Sequence, residues 1–302
     1  MKNANKNTAL AVIMLITSMS IFGTIGLLRF YINLSSSLIA LSRAVIGSVF
    51  LLVIMLIKRT KPNFLQIKKN AIPLLISSLA LGFNWVLLFE AYSYLSVASA
   101  TLIYYLAPTL VIFISVPLFK DKLSLKHIIC AIISLVGMVL VSGVIESGFS
   151  INFIGISLAL GAMLLYATVV ILNRKSNSVP SFDRTFVQLV IASLVLLPYV
   201  LITDKTLFYG ANGLSIGLLV CAGIVHTGIA YVLYFASVGT LKSHTVAIFS
   251  YIDPTLAVIL SFTALGEEFS IFSVIGAVLI IGASLISEIK KQNKNTQLPL
   301  NN

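Results

Sequence analysis

The chain has 302 residues, of which 59% are hydrophobic and 10% charged, and it carries a net charge of +11. A soluble domain has roughly a quarter of its residues charged, so a soluble globular protein is excluded. The basic residues are scattered between apolar runs and form no patch on one face, which argues against nucleic acid as a partner.

Ten apolar segments follow one another, long enough to cross a bilayer of about 30 Å as helices. They are Thr8–Leu28, Leu34–Ile57, Ala71–Ala91, Val97–Phe119, Leu125–Ile145, Phe153–Leu172, Asp183–Ile202, Leu214–Ala236, Ser243–Leu265 and Ile271–Glu288. The first has no small-residue cleavage site and reads as a span, not a signal peptide. Cys130 and Cys221 both fall inside apolar segments and read as small hydrophobes. The predicted fold is an all-α polytopic membrane protein with the lipid bilayer as its main partner.

Ten spans place both ends of the chain on one side. If that side is the cytoplasm, seventeen of the twenty basic residues are cytoplasmic, Arg29 and Lys205 are outside, and Arg43 lies within the second span. Such a bias orients the chain by the positive-inside rule. The expected location is the cell membrane, multi-pass, with both termini cytoplasmic.

Gly82 to Ser124 recurs as Gly228 to Ser270 without a gap. The shared positions include Gly82/Gly228, Tyr105/Tyr251, Pro108/Pro254, Thr109/Thr255 and Leu110/Leu256. The chain therefore divides into a first repeat over 8–145, a second over 152–288 and a polar cytoplasmic tail over 289–302. Each repeat has five spans. An odd number inverts the second repeat relative to the first, so the predicted arrangement is two inverted five-helix repeats related by an axis in the membrane plane.

These features resemble the drug/metabolite transporter superfamily, in particular its ten-helix EamA-type members. The resemblance is carried by Arg43 in the second span, by the aromatic third span leading through Val97-Ala-Ser-Ala100 to Pro108, and by Asp121 matched in the second half by Glu267. Val187-Gln188 stands where a second arginine would fall. The resemblance implies transport of a small metabolite and leaves its identity open, since such proteins move amino acids, nucleosides, sugars and cations.

Candidate substrate-binding or coupling residues are Arg43, Trp85, Glu90, Tyr104, Tyr105, His226, Tyr231, Tyr251 and Asp253. A carboxylate or guanidinium within the membrane is costly and implies a partner or a function. Glu90 and Asp253 face Ala236 and Ala107 in the other repeat, so neither is duplicated. Arg43 is the expected partner of Glu90, as a structural ion pair or as part of a binding site. Asp253 is the candidate proton carrier. The tyrosines and Trp85 concentrate in spans three, four, eight and nine, where they fit a cation or flat ring, or ordinary packing. Pro108 and Pro254 are expected hinges, each removing a backbone hydrogen bond inside a helix.

No cofactor is expected. No glycine-rich phosphate loop points to ATP, and His127, His226 and His244 have no ligand spacing for a metal. The function read from the sequence is a secondary transporter of an amino acid or similar metabolite, by efflux or exchange, working through alternating access with protons as a candidate coupling ion. The alternative is a non-transporting membrane scaffold or an intramembrane enzyme.

Overall fold

The structure is a computed structural model that describes residues 2–120, 124–141, 145, 152–238, 241, 249–268 and 270–288. Among the described residues every regular element is helical. In chain order they are α1 (Lys2–Gly23), α2 (Ile25–Tyr31), α3 (Ser36–Ile57), α4 (Phe64–Lys69), α5 (Ala71–Ala91), α6 (Val97–Tyr104), α7 (Ala107–Phe119), α8 (Leu125–Val141), α9 (Phe153–Lys175) and α10 (Ser181–Thr203). Then come α11 (Gly213–Cys221), a π-helical segment (Ala222–Ile229), α12 (Ala230–Val238), α13 (Ile252–Ala264) and α14 (Ile271–Glu288).

Hydrocarbon offers no hydrogen bonds, so a chain this apolar closes its backbone bonds within helices. Among the described residues seven runs are long and apolar enough to cross a membrane: Thr8–Tyr31, Ser36–Ile57, Ala71–Ala91, Val97–Phe119, Phe153–Lys175, Ser181–Thr203 and Gly213–Ser237. Leu125–Val141, Ile252–Ala264 and Ile271–Ala283 are shorter apolar helices at the expected fifth, ninth and tenth spans. The start of the expected ninth span, with His244, lies outside the described residues, as does Asp121.

The helices are inside-out by the standard of a soluble protein. On α3, Val45, Val49, Leu52 and Leu56 recur at helical spacing and are exposed, while Arg43, Ser36 and Ser48 are buried. A stripe of exposed aliphatics opposite buried polar groups suits a helix with lipid on one side and protein on the other. The main core packs α3, α5 and α10 through residues such as Leu38, Phe89, Leu189 and Leu196. A second cluster joins α6, α7, α9 and α14 around Leu102, Ala107, Met163 and Ile280.

Polar side chains mark where helices begin. Ser35 caps α3 by accepting from Leu38 N–H at 3.2 Å, Ser96 caps α6 through Ser99 N–H, and Asn152 caps α9 through Gly155 N–H. Each supplies a partner to a donor that the first turn of a helix leaves open.

Candidate functional site

Four of the expected spans are not continuous α-helices. The first breaks at Thr24, between α1 and α2. The fourth breaks at Tyr105–Leu106, between α6 and α7. The eighth passes through the π-helical segment, and Tyr251 interrupts the ninth just before α13. The matched tyrosines Tyr105 and Tyr251 thus stand at matched breaks.

The prolines do not sit in mid-helix as expected. Pro108 falls in the first two positions of α7, and Pro254 is the third residue of α13. Neither lies within a continuing helix. The opening N–H groups of a helix have no intrahelical partner, so a proline there forfeits nothing. The breaks fall just ahead of the prolines, and two new helix N-termini open inside the protein. Of Pro108 only the backbone is described, while Pro254 is buried.

The breaks meet. The Tyr105 hydroxyl donates to Asp253 Oδ2 at 2.5 Å, joining the fourth span to the ninth. Asp253 sits in the first turn of α13, where the helix dipole favours an anion. A Cβ built on Gly23 would lie 2.7 Å from the Asp253 carbonyl oxygen, so the end of α1 touches the same break with no room for a side chain. Thr24 gives its hydroxyl proton to the Ile21 carbonyl at 2.8 Å. Its oxygen also lies 2.8 Å from His226 Nε2, a hydrogen bond that ties the first break to the π-helical segment.

Aromatic groups surround this point. Tyr104 packs against Tyr105 and Tyr166 with ring centroids 5.8 and 5.0 Å away, and its hydroxyl donates to Asn84 Oδ1 at 3.3 Å. Tyr231 stacks on Phe235 at 5.8 Å and meets Phe22 at 5.4 Å. Tyr92, Tyr104, Tyr166 and Tyr231 all lie within electrostatic reach of Asp253. Tyr92, Tyr104 and Tyr231 also lie within electrostatic reach of Arg43. Tyr251 is 6% exposed, and its carbonyl accepts both the N–H and the hydroxyl of Thr255.

Arg43 is 4% exposed. Its guanidinium carbon lies 4.4 Å from the centroid of Trp85 and 5.3 Å from that of Phe89. Its Nε donates to the Thr227 hydroxyl at 3.2 Å. The expected Arg43–Glu90 ion pair is not formed. Glu90 accepts instead from Ser36 Oγ at 2.7 Å. Seven residues separate Ser36 from Arg43 along α3, about 10 Å of helix. The sequence reading puts both charges in the outer half of the membrane, but along α3 the residue that holds Glu90 stands two turns from Arg43.

Arg29 belongs to α2 rather than to an outer loop. It donates to Ser36 Oγ at 3.2 Å, completing an Arg29–Ser36–Glu90 chain at the start of α3 and the end of α5. Beside it a recess of about 340 Å³ is lined by Glu90, Ser36, Tyr199 and Asp204. Burial would raise the Asp204 pKa, but hydrogen bonds from Ser35, Thr206 and Leu207 outweigh it and hold the carboxyl below its ordinary value. Glu267 reaches across to the first repeat, accepting from Val97 N–H at 2.9 Å at the start of α6. Its pKa is raised by burial, against the pull of the Val97 and Ala98 N–H groups.

Sequence reading missed Thr24, Asn84, Tyr166 and Thr227. Tyr166 carries a readable signal, the one aromatic ring between Ile154 and Lys175. Thr227 carries none, because its aim depends on the π register.

Comparison with known proteins agrees with this architecture. The chain is 29% identical over 297 residues to "Uncharacterized transporter YxxF" of Bacillus subtilis (strain 168), covering 96% of this chain and 93% of that protein. It is 25% identical over 257 residues to an "Uncharacterized transporter" of Clostridium kluyveri, covering 83% and 82%. A solved crystal structure superposes with a TM-score of 0.66 at 19% identity, covering 92% of this chain and 96% of that one, which shows a shared fold. The model of the EamA-like transporter family matches twice, over residues 9–143 and 153–288. The chain is a membrane protein of the EamA-like transporter family, within the drug/metabolite transporter superfamily.

Proposed function

We propose that the protein is a secondary transporter of an amino acid or similar small metabolite, working by efflux or exchange through alternating access. In this reading the chain crosses the cell membrane ten times, as two inverted halves with both termini in the cytoplasm. The substrate sits near the midplane among Arg43, Trp85, Tyr104, Tyr105, Tyr231 and Asp253. His226 and Tyr251 brace it from behind, and Glu90 lies at its outer approach. The halves rock about the breaks next to Pro108 and Pro254.

The observation that carries this reading is the Tyr105–Asp253 hydrogen bond, which links the matched breaks of the two repeats. Broken helices whose ends face one another at the repeat interface supply dipoles and backbone groups for a ligand at membrane depth. Arg43 and Asp253 give that interior one group of each charge sign. An amino acid has a carboxylate for the first and an ammonium for the second, and the tyrosines between them suit its body. Proton exchange at Asp253 would couple transport to a proton gradient.

The test is uptake and counterflow of a radiolabelled mixture of the proteinogenic amino acids by protein in proteoliposomes, with and without an imposed pH gradient. Saturable flux is expected. Its absence under every gradient overturns the amino-acid assignment, and its absence for a wider metabolite pool overturns transport itself.

A further inference from the structure

Arg43 makes one hydrogen bond among the described residues, from Nε to Thr227. Its two terminal nitrogens have no partner among the described residues, yet neither belongs to the buried polar atoms sealed from water. A guanidinium held by Nε alone, flanked by Trp85 and Phe89, presents its two-pronged end to the interior. That end matches a carboxylate or another oxyanion bidentately.

Thr227 is built to hold it there. Its hydroxyl donates to the Ala222 carbonyl at 3.1 Å, five residues back within the π-helical segment. With the proton committed to that carbonyl, the oxygen lone pairs are left to accept Arg43 Nε–H. The methyl group is fixed as well: a Cβ built on Gly47 would lie 2.5 Å from Thr227 Cγ2, so the methyl is seated on the bare backbone of α3. A threonine locked at both branches has one rotamer, and it aims the oxygen at Arg43. The π register sets this aim, since an inserted residue rotates everything after it about the helix axis. π-Helical segments are rare and often mark functional sites.

We propose that Thr227 is a positioning residue that preorganises Arg43 over Trp85 so that both terminal nitrogens face an anionic group of the substrate. The proposal rests on the transporter reading for the identity of that anion, but the geometry of Arg43 is testable without it. Trp85 is the single tryptophan of the chain, so tryptophan emission reports the ring over which Arg43 lies.

The experiment compares full-length wild type, Thr227→Val and Thr227→Ser in proteoliposomes. It reads tryptophan emission without ligand and counterflow of the radiolabelled amino-acid mixture. Valine keeps the methyl and deletes the hydroxyl; serine does the reverse. Thr227→Val is expected to shift the emission and to raise the half-saturating concentration about tenfold, the size of one hydrogen bond to a charged group, at a nearly unchanged maximal rate. Thr227→Ser is expected to restore both. Emission of Thr227→Val identical to wild type overturns the proposal, and so does equal impairment by valine and serine, which assigns Thr227 to packing. A shifted emission with unchanged half-saturation overturns the substrate role. Should Thr227→Val fail to reach the membrane, Gly47→Ala replaces it, because its new Cβ displaces the Thr227 methyl and turns the hydroxyl away. Absence of flux in wild type removes the transporter reading, while the emission comparison still decides the orientation of Arg43.

Discussion

Tyr105 donates its hydroxyl to Asp253 at 2.5 Å across 148 positions of sequence. The donor stands at the break of one repeat and the acceptor beside the break of the other, so this bond is a direct measure of how the two halves sit. Replacing Asp253 with asparagine keeps an acceptor for Tyr105 and removes the exchangeable proton. Proton-driven accumulation is expected to vanish while substrate exchange persists, measured in proteoliposomes with and without a pH gradient. A pH profile that matches wild type overturns the coupling role. Tyr105→Phe removes the bond itself and is expected to slow proton-driven uptake about tenfold, consistent with losing a hydrogen bond to a charged group.

Arg43 and Glu90 are held by different partners, one by Thr227 and the other by Ser36. Exchanging their charges, Arg43→Glu with Glu90→Arg, is therefore expected to restore neither folding nor transport. A double-mutant cycle on thermal midpoints is expected to give a coupling below about 0.5 kcal/mol, as for sites without a shared partner. Recovery of wild-type stability by the swap would show that the two charges do pair.

Gly23 has no room for a side chain against the Asp253 carbonyl. Gly23→Ala is expected to force α1 from the break before α13 and to destabilise the protein by about 1–3 kcal/mol, the usual cost of overpacking. Transport is expected to fall further than stability, because the proposed mechanism puts the strain on the joint between the halves. Thermal midpoints and flux on the same preparation separate the two effects.

Asp204 is held below its ordinary pKa by hydrogen bonds from Ser35, Thr206 and Leu207 that outweigh the opposing effect of burial. A depressed acid contributes stability above its unfolded pKa, about 3.9, and loses it as pH falls through the lower folded value. Asp204→Asn is thus expected to lower the thermal midpoint most above about pH 4 and to converge with wild type at lower pH. A difference constant from pH 8 to pH 3 contradicts the assignment.

Apolar runs mark out helices in the sequence because the backbone has no alternative in hydrocarbon. The repeat showed where two matched helices break, since Tyr105 and Tyr251 precede matched prolines. It did not show that the prolines open new helices instead of bending old ones. That depends on where the last α-helical bond is made. The break at Thr24 has no proline to announce it, and the π register of Ala222–Ile229 has no composition of its own. Arg43 and Glu90 were assigned to each other because both are charged and both lie toward the outside. Their hydrogen-bond partners, Thr227 for Arg43 and Ser36 for Glu90, separate them.

The residues around the two charges make the halves non-interchangeable. A tandem of two first halves would bring in two Arg43 side chains, with each Glu90 held at Ser36 and no counterpart of Asp253. A tandem of two second halves would bring two Asp253 carboxyls and no guanidinium. Either would repel itself, and neither could hold both ends of a zwitterion. Duplication supplied a symmetric frame, and the placement of one arginine and one aspartate gave that frame a head and a tail.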